Sequence, residues 1–252
     1  MFKVKLADAK LWKDLMTAIS TLIDEATFNI TTDEITLRAM DPSHVAMIDF
    51  AWPKASFEDY ICDQSTKLCV NISEMLKLLR GVGSGESIEL FIDEQSGRLN
   101  MQLKGKYTRT FSLATLETVG EEAPTPKITF NAKAKLTTDV LKQSMDDAST
   151  VSDHVSLEAG ADKLVINATG DLGSAKIELD KTSEALLGLE VKAEAKATFS
   201  LNYLTEIIKA ASTTSDVATM EFSTNMPIRL DFELPQGGKL QYYLAPRIDE
   251  GV

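Results

Sequence analysis

The chain has 252 residues, of which 44% are hydrophobic and 25% charged, with 38 Asp and Glu against 26 Lys and Arg and a formal net charge of −12. It can fill the core of one large or two ordinary domains, and no apolar run approaches the roughly 20 residues of a bilayer-spanning helix. So acidic a balance argues against nucleic-acid binding unless the Lys and Arg are sorted onto one surface.

The opening Met1-Phe2-Lys3-Val4-Lys5-Leu6 alternates apolar and polar residues and reads as a first strand with no apolar signal segment. A cytoplasmic, non-secreted protein is expected. A helix over about 9–24 follows, with Leu11, Leu15, Ala18 and Leu22 on one face, widened by Trp12 and Ile19. Lys10, Lys13, Thr17, Ser20 and Thr21 fall opposite. Strands are expected at Thr27–Thr31 and Glu34–Met40. Cys62 and Cys69 flank the turn-like Asp63–Lys67, so a local bridge is conceivable, but the rarity of cytosolic disulfides favours free buried thiols.

A second helix over about 72–81 places Lys77 and Arg80 three residues apart on one side. Three strands follow. From Glu117 to Lys127 the periodicity stops, and two prolines, a glycine and three glutamates make an extended, solvated connector. The division is therefore 1–117, a connecting loop at 118–127, and 128–252. Beyond it come a helix at 137–149, strands at Val155–Leu157 and Lys163–Ala168, a helix at 201–211 and three more strands. Strands dominate, with two helices per half on one face, which is an α+β fold.

The halves repeat. Asp33–Met40 lies over Asp162–Thr169 at an offset of 129, and the same offset sets Ile72, Leu78 and Leu79 on Leu201, Ile207 and Ile208. It also sets Leu99, Met101 and Leu103 on Ile228, Leu230 and Phe232. Few residues are identical, yet the apolar phase persists over most of the chain, the mark of a duplicated unit. Lys13 falls on Lys142 and Arg80 on Lys209, so the repeat keeps a cation at two corresponding helical positions. Asp139, Asp146 and Asp147 sit near Lys142, and Glu206 near Lys209.

The stretch Leu37-Arg38-Ala39-Met40-Asp41-Pro42-Ser43-His44-Val45-Ala46 resembles the L-x-x-M-D-x-S-H-V signature of the PCNA family of sliding clamps. Leu240-Gln241-Tyr242-Tyr243-Leu244-Ala245-Pro246-Arg247-Ile248 resembles that family's L-x-Y-Y-L-A-P-(K/R)-I. The likeness covers essentially the whole chain, and the short connector with Pro126–Phe130 looks archaeal. It implies two similar clamp domains, each of antiparallel sheets and two helices, closing as a ring of three subunits, a homotrimer, around double-stranded DNA. Lys10, Lys13, Lys77, Arg80, Lys142 and Lys209 would face the DNA. Where the family often carries further basic residues, this chain has Gln143, Asp146 and Asn202, which thins the second domain's share.

The resemblance also implies no cofactor, no metal, no membrane and a nucleoid-associated role as a processivity factor. Partner peptides of the form Gln-x-x-(Leu/Ile/Met)-x-x-aromatic-aromatic would insert beside the connector. The matching positions are Met40, His44, Val45, Met47, Ile128, Phe130, Pro227, Tyr243, Ala245 and Pro246. DNA polymerase, the clamp loader, flap endonuclease and DNA ligase are the partners implied. Met40, Met47 and Phe130 are also readable as plain core.

If strand 45–50 of one domain joins strand 238–243 of the other, the repeat leaves strands 109–114 and 174–179 as free edges. An exposed edge demands a partner, and head-to-tail pairing closes a ring. Tyr107–Leu116 is expected to pair with Gly173–Lys181 of a neighbour. Tyr107, Arg109, Phe111 and Leu113 would meet Ser174, Lys176, Glu178 and Asp180. An enzyme is disfavoured: Asp41, His44 and Asp49 form the one cluster to consider, and His44 and His154 are the only histidines. Gly81–Gly85 lacks the Gly-Lys-(Ser/Thr) of a phosphate loop and follows a helix.

Overall fold

Phe2, Val4 and Leu6 turn inward while Lys3 and Lys5 remain half-exposed, so the opening residues take the period of two that defines a strand. The computed structural model of the chain describes residues 1–118 and 123–248. In the first half, β1 (Phe2–Leu6) leads into α1 (Ala9–Ile19), β2 (Glu25–Ile30), β3 (Glu34–Met40) and β4 (Ala46–Pro53). Next come β5 (Asp59–Cys62), β6 (Thr66–Asn71), α2 (Ile72–Leu78), β7 (Ser87–Ile92), β8 (Leu99–Lys104) and β9 (Thr108–Leu113).

The second half keeps that order. β10 (Ala132–Thr137) leads into α3 (Thr138–Ser149), β11 (His154–Ala159), β12 (Lys163–Gly170) and β13 (Gly173–Asp180). Then follow β14 (Leu186–Val191), β15 (Ala195–Ser200), α4 (Leu201–Ala211), β16 (Val217–Phe222), β17 (Ile228–Glu233) and β18 (Lys239–Leu244). Pairing repeats as well: β1 lies antiparallel between β5 and β7 as β10 does between β14 and β16. β2 lies between β3 and β6 as β11 does between β12 and β15. The duplication read from apolar phase is thus a duplication of topology.

One compact unit holds Met1–Pro42, Ile48–Ala123 and Leu234–Leu240. Its first sheet runs β5–β1–β7–β8–β9, and β4, β3, β2 and β6 follow one another in a second. The core is aromatic. Trp12 of α1 stacks on Trp52 at 6.1 Å and 10°, and Phe50 meets both Phe28 and Trp52 edge-on. The other unit holds Ser43–Met47, Pro124–Glu233 and the residues from Gln241. There β13–β12–β11–β15 form one sheet, and β14, β10, β16, β17 and β18 follow one another in another. Leu141, Met145 and Ala148 of α3 and Leu204, Ile207 and Ile208 of α4 are buried beneath these helices.

Three local expectations change. The helix expected over 9–24 stops at Ile19, because the Ser20 and Thr21 hydroxyls donate to the Thr17 and Ala18 carbonyls. The chain tightens there, with Leu22 N–H donating to Ile19 O three residues back. The helix expected over 72–81 stops at Leu78, so Arg80 lies in the following turn, its N–H donating to Lys77 O at 3.4 Å. Cys69 is buried but Cys62 only half so, and both are free thiols. Of the expected connector, residues 119–122 lie outside the described residues; Leu116 before them bridges to Cys69.

Candidate DNA-facing helices, open edges and docking surface

Asp8 starts α1 by accepting from the N–H groups of Lys10 and Leu11, which fixes which turn carries Lys10 and Lys13. Asn71 caps α2 the same way, accepting from Glu74 N at 2.8 Å. The six cations named from sequence then separate into two sets. Lys10 is paired with Asp14 one turn on, which holds its ammonium above the usual lysine range, and Lys77 is paired with Glu74 at 2.6 Å. Among the described residues Lys13, Arg80, Lys142 and Lys209 have no acidic partner. These four are the two pairs the repeat preserves. Lys10 and Lys77 have Asp139 and Glu206 at their repeat positions, so no cation is kept there.

Within the first unit, Lys13 Nζ donates to the Arg80 carbonyl at 3.3 Å. α1 and α2 pack together, as do α3 and α4. The acids near Lys142 do not pair with it: Asp147 accepts from Gln143 at 2.8 Å instead, and Asp139 accepts from Val140 N in the first turn of its own helix. That network of hydrogen bonds, from Thr137 first, holds Asp139 below the usual carboxylate range.

β9 and β13 are edge strands, each bonded on one side only, to β8 and β12. Along β9 the residues alternate, with Thr108, Thr110 and Ser112 exposed and Arg109 and Phe111 half-buried. Leu113 is already buried within its own unit, and Tyr107 is exposed. Arg109 pairs with Glu86, and its guanidinium lies 5.4 Å from the Tyr107 ring centre, so it is not a free charge. Along β13, Ser174, Lys176, Glu178 and Asp180 face solvent, while Ala175 and Ile177 are half-buried on the helix-bearing side. The sequence reading named the outward set; Ala175 and Ile177 alternate with it and lie outside that expectation. Of the other sheet edges described, β15 is closed, since Asn225 N–H donates to Lys196 O and Arg247 N–H to Thr198 O, and β6 receives Leu116 N–H at Cys69 O, while β5 and β14 are bonded on one side, to β1 and β10.

The positions expected to dock peptides in the second unit are held by backbone ties. Ala245 N–H donates to Val45 O at 2.9 Å, joining the tail to Ser43–Met47. The buried Ser223 hydroxyl donates to Thr129 O and accepts from Asn131 N, which seats the irregular run 128–131 on the turn before Pro227. Ile128, Phe130, Pro227, Ala245 and Pro246 are half-buried there, and Arg229 lies over the Phe130 ring at 5.3 Å. Met47 and Tyr243 are buried; His44 is exposed and takes a positive φ of 56°. Met40, at the end of β3 in the other unit, is exposed. Met226, next to Pro227, and Ile248, two residues past Pro246, are exposed apolar residues outside the expected set.

Asp49 accepts from Arg38 at 3.0 Å with Lys239 at 3.8 Å, a buried carboxylate with structural partners. No group of three His, Cys, Asp or Glu among the described residues is placed to hold an ion. His154 meets Arg247, which donates to its Nε2. No helix among the described residues is long and apolar enough to cross a membrane.

Comparison with known proteins agrees along the chain. Residues 1–119 match the proliferating cell nuclear antigen N-terminal domain and residues 124–247 the C-terminal domain. A curated DNA polymerase sliding clamp from Pyrobaculum aerophilum is 41% identical over 242 residues, 96% of either chain. One from Nitrosopumilus maritimus is 36% identical, covering 98% of this chain and 99% of its own. The crystal structure of PCNA from Thermococcus kodakaraensis superposes with a TM-score of 0.93 at 25% identity, covering 98% of this chain and 100% of that one. A PCNA2–PCNA3 complex from Sulfolobus tokodaii gives 0.90 at 30% identity, with 97% and 99% covered. The chain belongs to the proliferating cell nuclear antigen family of DNA polymerase sliding clamps.

Proposed function

We infer that three copies of this chain close head to tail into a ring that encloses duplex DNA and tethers DNA polymerase to it. The observation that carries the reading is that β9 and β13, the repeat partners of β18 and β4, are both sheet edges, as β5 and β14 also are, whereas β15 is capped. Each open edge presents a row of unpaired backbone groups, and pairing one with the other is a heterologous contact that closes by rotation. The domains are taken as 1–117 and 128–252, with the connector between them.

Enclosure relieves the protein of binding DNA tightly. Lys13, Arg80, Lys142 and Lys209 meet phosphates without reading bases, so the ring slides, and the acidic remainder repels DNA from elsewhere. No bond is made or broken; the work is topological. Client proteins dock by short peptides whose apolar anchors enter the surface around Ile128, Phe130, Pro227, Ala245 and Pro246, with His44, Val45 and the buried Met47 and Tyr243 of the same unit completing it. The clamp loader, flap endonuclease and DNA ligase join the polymerase as clients, in the cytoplasm at the nucleoid. Primer extension on a singly primed circle is the test. With clamp loader and ATP, this chain should lengthen the products made per polymerase binding event, and unchanged product length would refute the reading.

A further inference from the structure

We propose that Leu172 is the apolar anchor with which one copy of this chain grips the next. The inference rests on the ring reading above and names a residue which that reading did not contain. Leu172 sits at the tip of the two-residue turn joining β12 to β13, where Gly170 pairs with Gly173. Its relative exposure is 103%, greater than that of any other large hydrophobic residue described, so nothing in its own unit covers it.

The turn is rigidly seated. A Cβ on Gly170 would lie 1.8 Å from the Val151 carbonyl oxygen, and one on Gly173 would touch the Val151 side chain at 3.7 Å. Gly170 lets the hairpin press onto the segment after α3, Gly173 lies at ordinary contact distance, and Leu172 projects from that seat. A bare leucine held by its backbone loses little freedom on being covered, which favours a binding anchor over a stray surface residue.

Its position names the occupant. Leu172 immediately precedes the open edge β13, and every strand pair described in this chain is antiparallel. Antiparallel addition of β9 from a second copy brings the Phe111–Leu113 end of that strand, with Leu116 three residues beyond it, to the Gly173 end of β13. Phe111 there is half-buried, and Leu116 beyond it is exposed. Apolar surface thus lies beside both edges where the hydrogen-bonding rows would meet. The second copy covers Leu172, and the buried area adds to a backbone ladder that by itself has little preference for register.

Sedimentation of wild type, Leu172→Met and Leu172→Asp across the micromolar range tests this. Because Leu172 touches nothing in its own unit, the far-UV circular dichroism of all three should coincide. Wild type and Leu172→Met should sediment as trimers, with Leu172→Asp needing at least about tenfold more protein to assemble. Trimeric Leu172→Asp at wild-type concentrations would overturn the anchor and leave the ring reading standing. So would a variant that assembles normally but loses affinity for a client peptide, which would make the occupant a client. Wild type found only as monomer or dimer would overturn the ring of identical copies itself.

Discussion

Lys13 of α1 donates through Nζ to the backbone carbonyl of Arg80, 67 residues further along, at 3.3 Å. The hydrogen bond locks the cation of one helix beside the turn that carries the cation of the next. Neither side chain has an acidic partner among the described residues, whereas the neighbouring Lys10 and Lys77 are each neutralised from their own helix. Surface ion pairs contribute little to stability, but they do reduce the charge offered to a phosphate.

The double variant Lys13→Gln/Arg80→Gln should therefore weaken DNA binding and lower the slope of log K against log salt by about 0.9 for each phosphate no longer neutralised, with up to six cations lost per ring of three. Lys10→Gln/Lys77→Gln should change that slope by less than half as much. Fluorescence anisotropy on a short duplex at several salt concentrations measures both. Equal slopes for the two variants would mean that local pairing does not sort these cations.

Phe130→Ala should raise the Kd of a Gln-x-x-Leu-x-x-Phe-Phe peptide by tenfold or more, since aromatic anchors carry most of the energy at small interfaces. Leu172→Ala, outside the docking surface, should leave it unchanged. Isothermal titration calorimetry decides, and an unaltered Kd in Phe130→Ala would move the docking surface elsewhere.

Glu178 on β13 accepts from Lys163 at 2.7 Å and Lys176 at 2.8 Å, and these hydrogen bonds hold its carboxyl down to about 2 from an ordinary 4.5. A depressed folded-state value stabilises above the unfolded value, and the contribution is lost as pH falls from 4.5 through 2. Carboxyl NMR titration should find a midpoint near 2 that returns toward 4.5 in Lys163→Gln/Lys176→Gln. A midpoint near 4.5 in the wild-type chain would show that the two ammonium groups do not hold the carboxylate.

Gly170→Ala should destabilise the fold by roughly 1–3 kcal/mol, because its Cβ would overlap the Val151 carbonyl and only backbone movement relieves it. Gly160→Ala, with no neighbouring atom closer than 4.0 Å, should cost less than about 0.5 kcal/mol. Urea denaturation compares them.

What could be read from sequence followed from periodicity. A strand's period of two and a helix's 3.6 survive substitution, so the 129-residue offset still aligned Leu99, Met101 and Leu103 with Ile228, Leu230 and Phe232 as β8 and β17. Helix ends were less legible. The hydroxyls of Ser20 and Thr21 settle them by bonding backward, a choice that composition does not reveal. The pairing of Lys10 with Asp14 was available from their spacing of four. Leu172 was not, because an Asp-Leu turn between two strands reads as an ordinary hairpin until its exposure is seen. Ser223 was equally silent: a lone serine shows its role only when both its hydrogen bonds reach the run 129–131 from another part of the chain.

That closure and not affinity holds this protein on DNA is tested most directly by loading it, with clamp loader and ATP, onto a nicked circle and then cutting the circle once. Gel filtration should find the protein retained on the circle at salt concentrations that abolish binding to short duplexes, and released after the cut. Equal retention before and after linearisation would contradict topological closure.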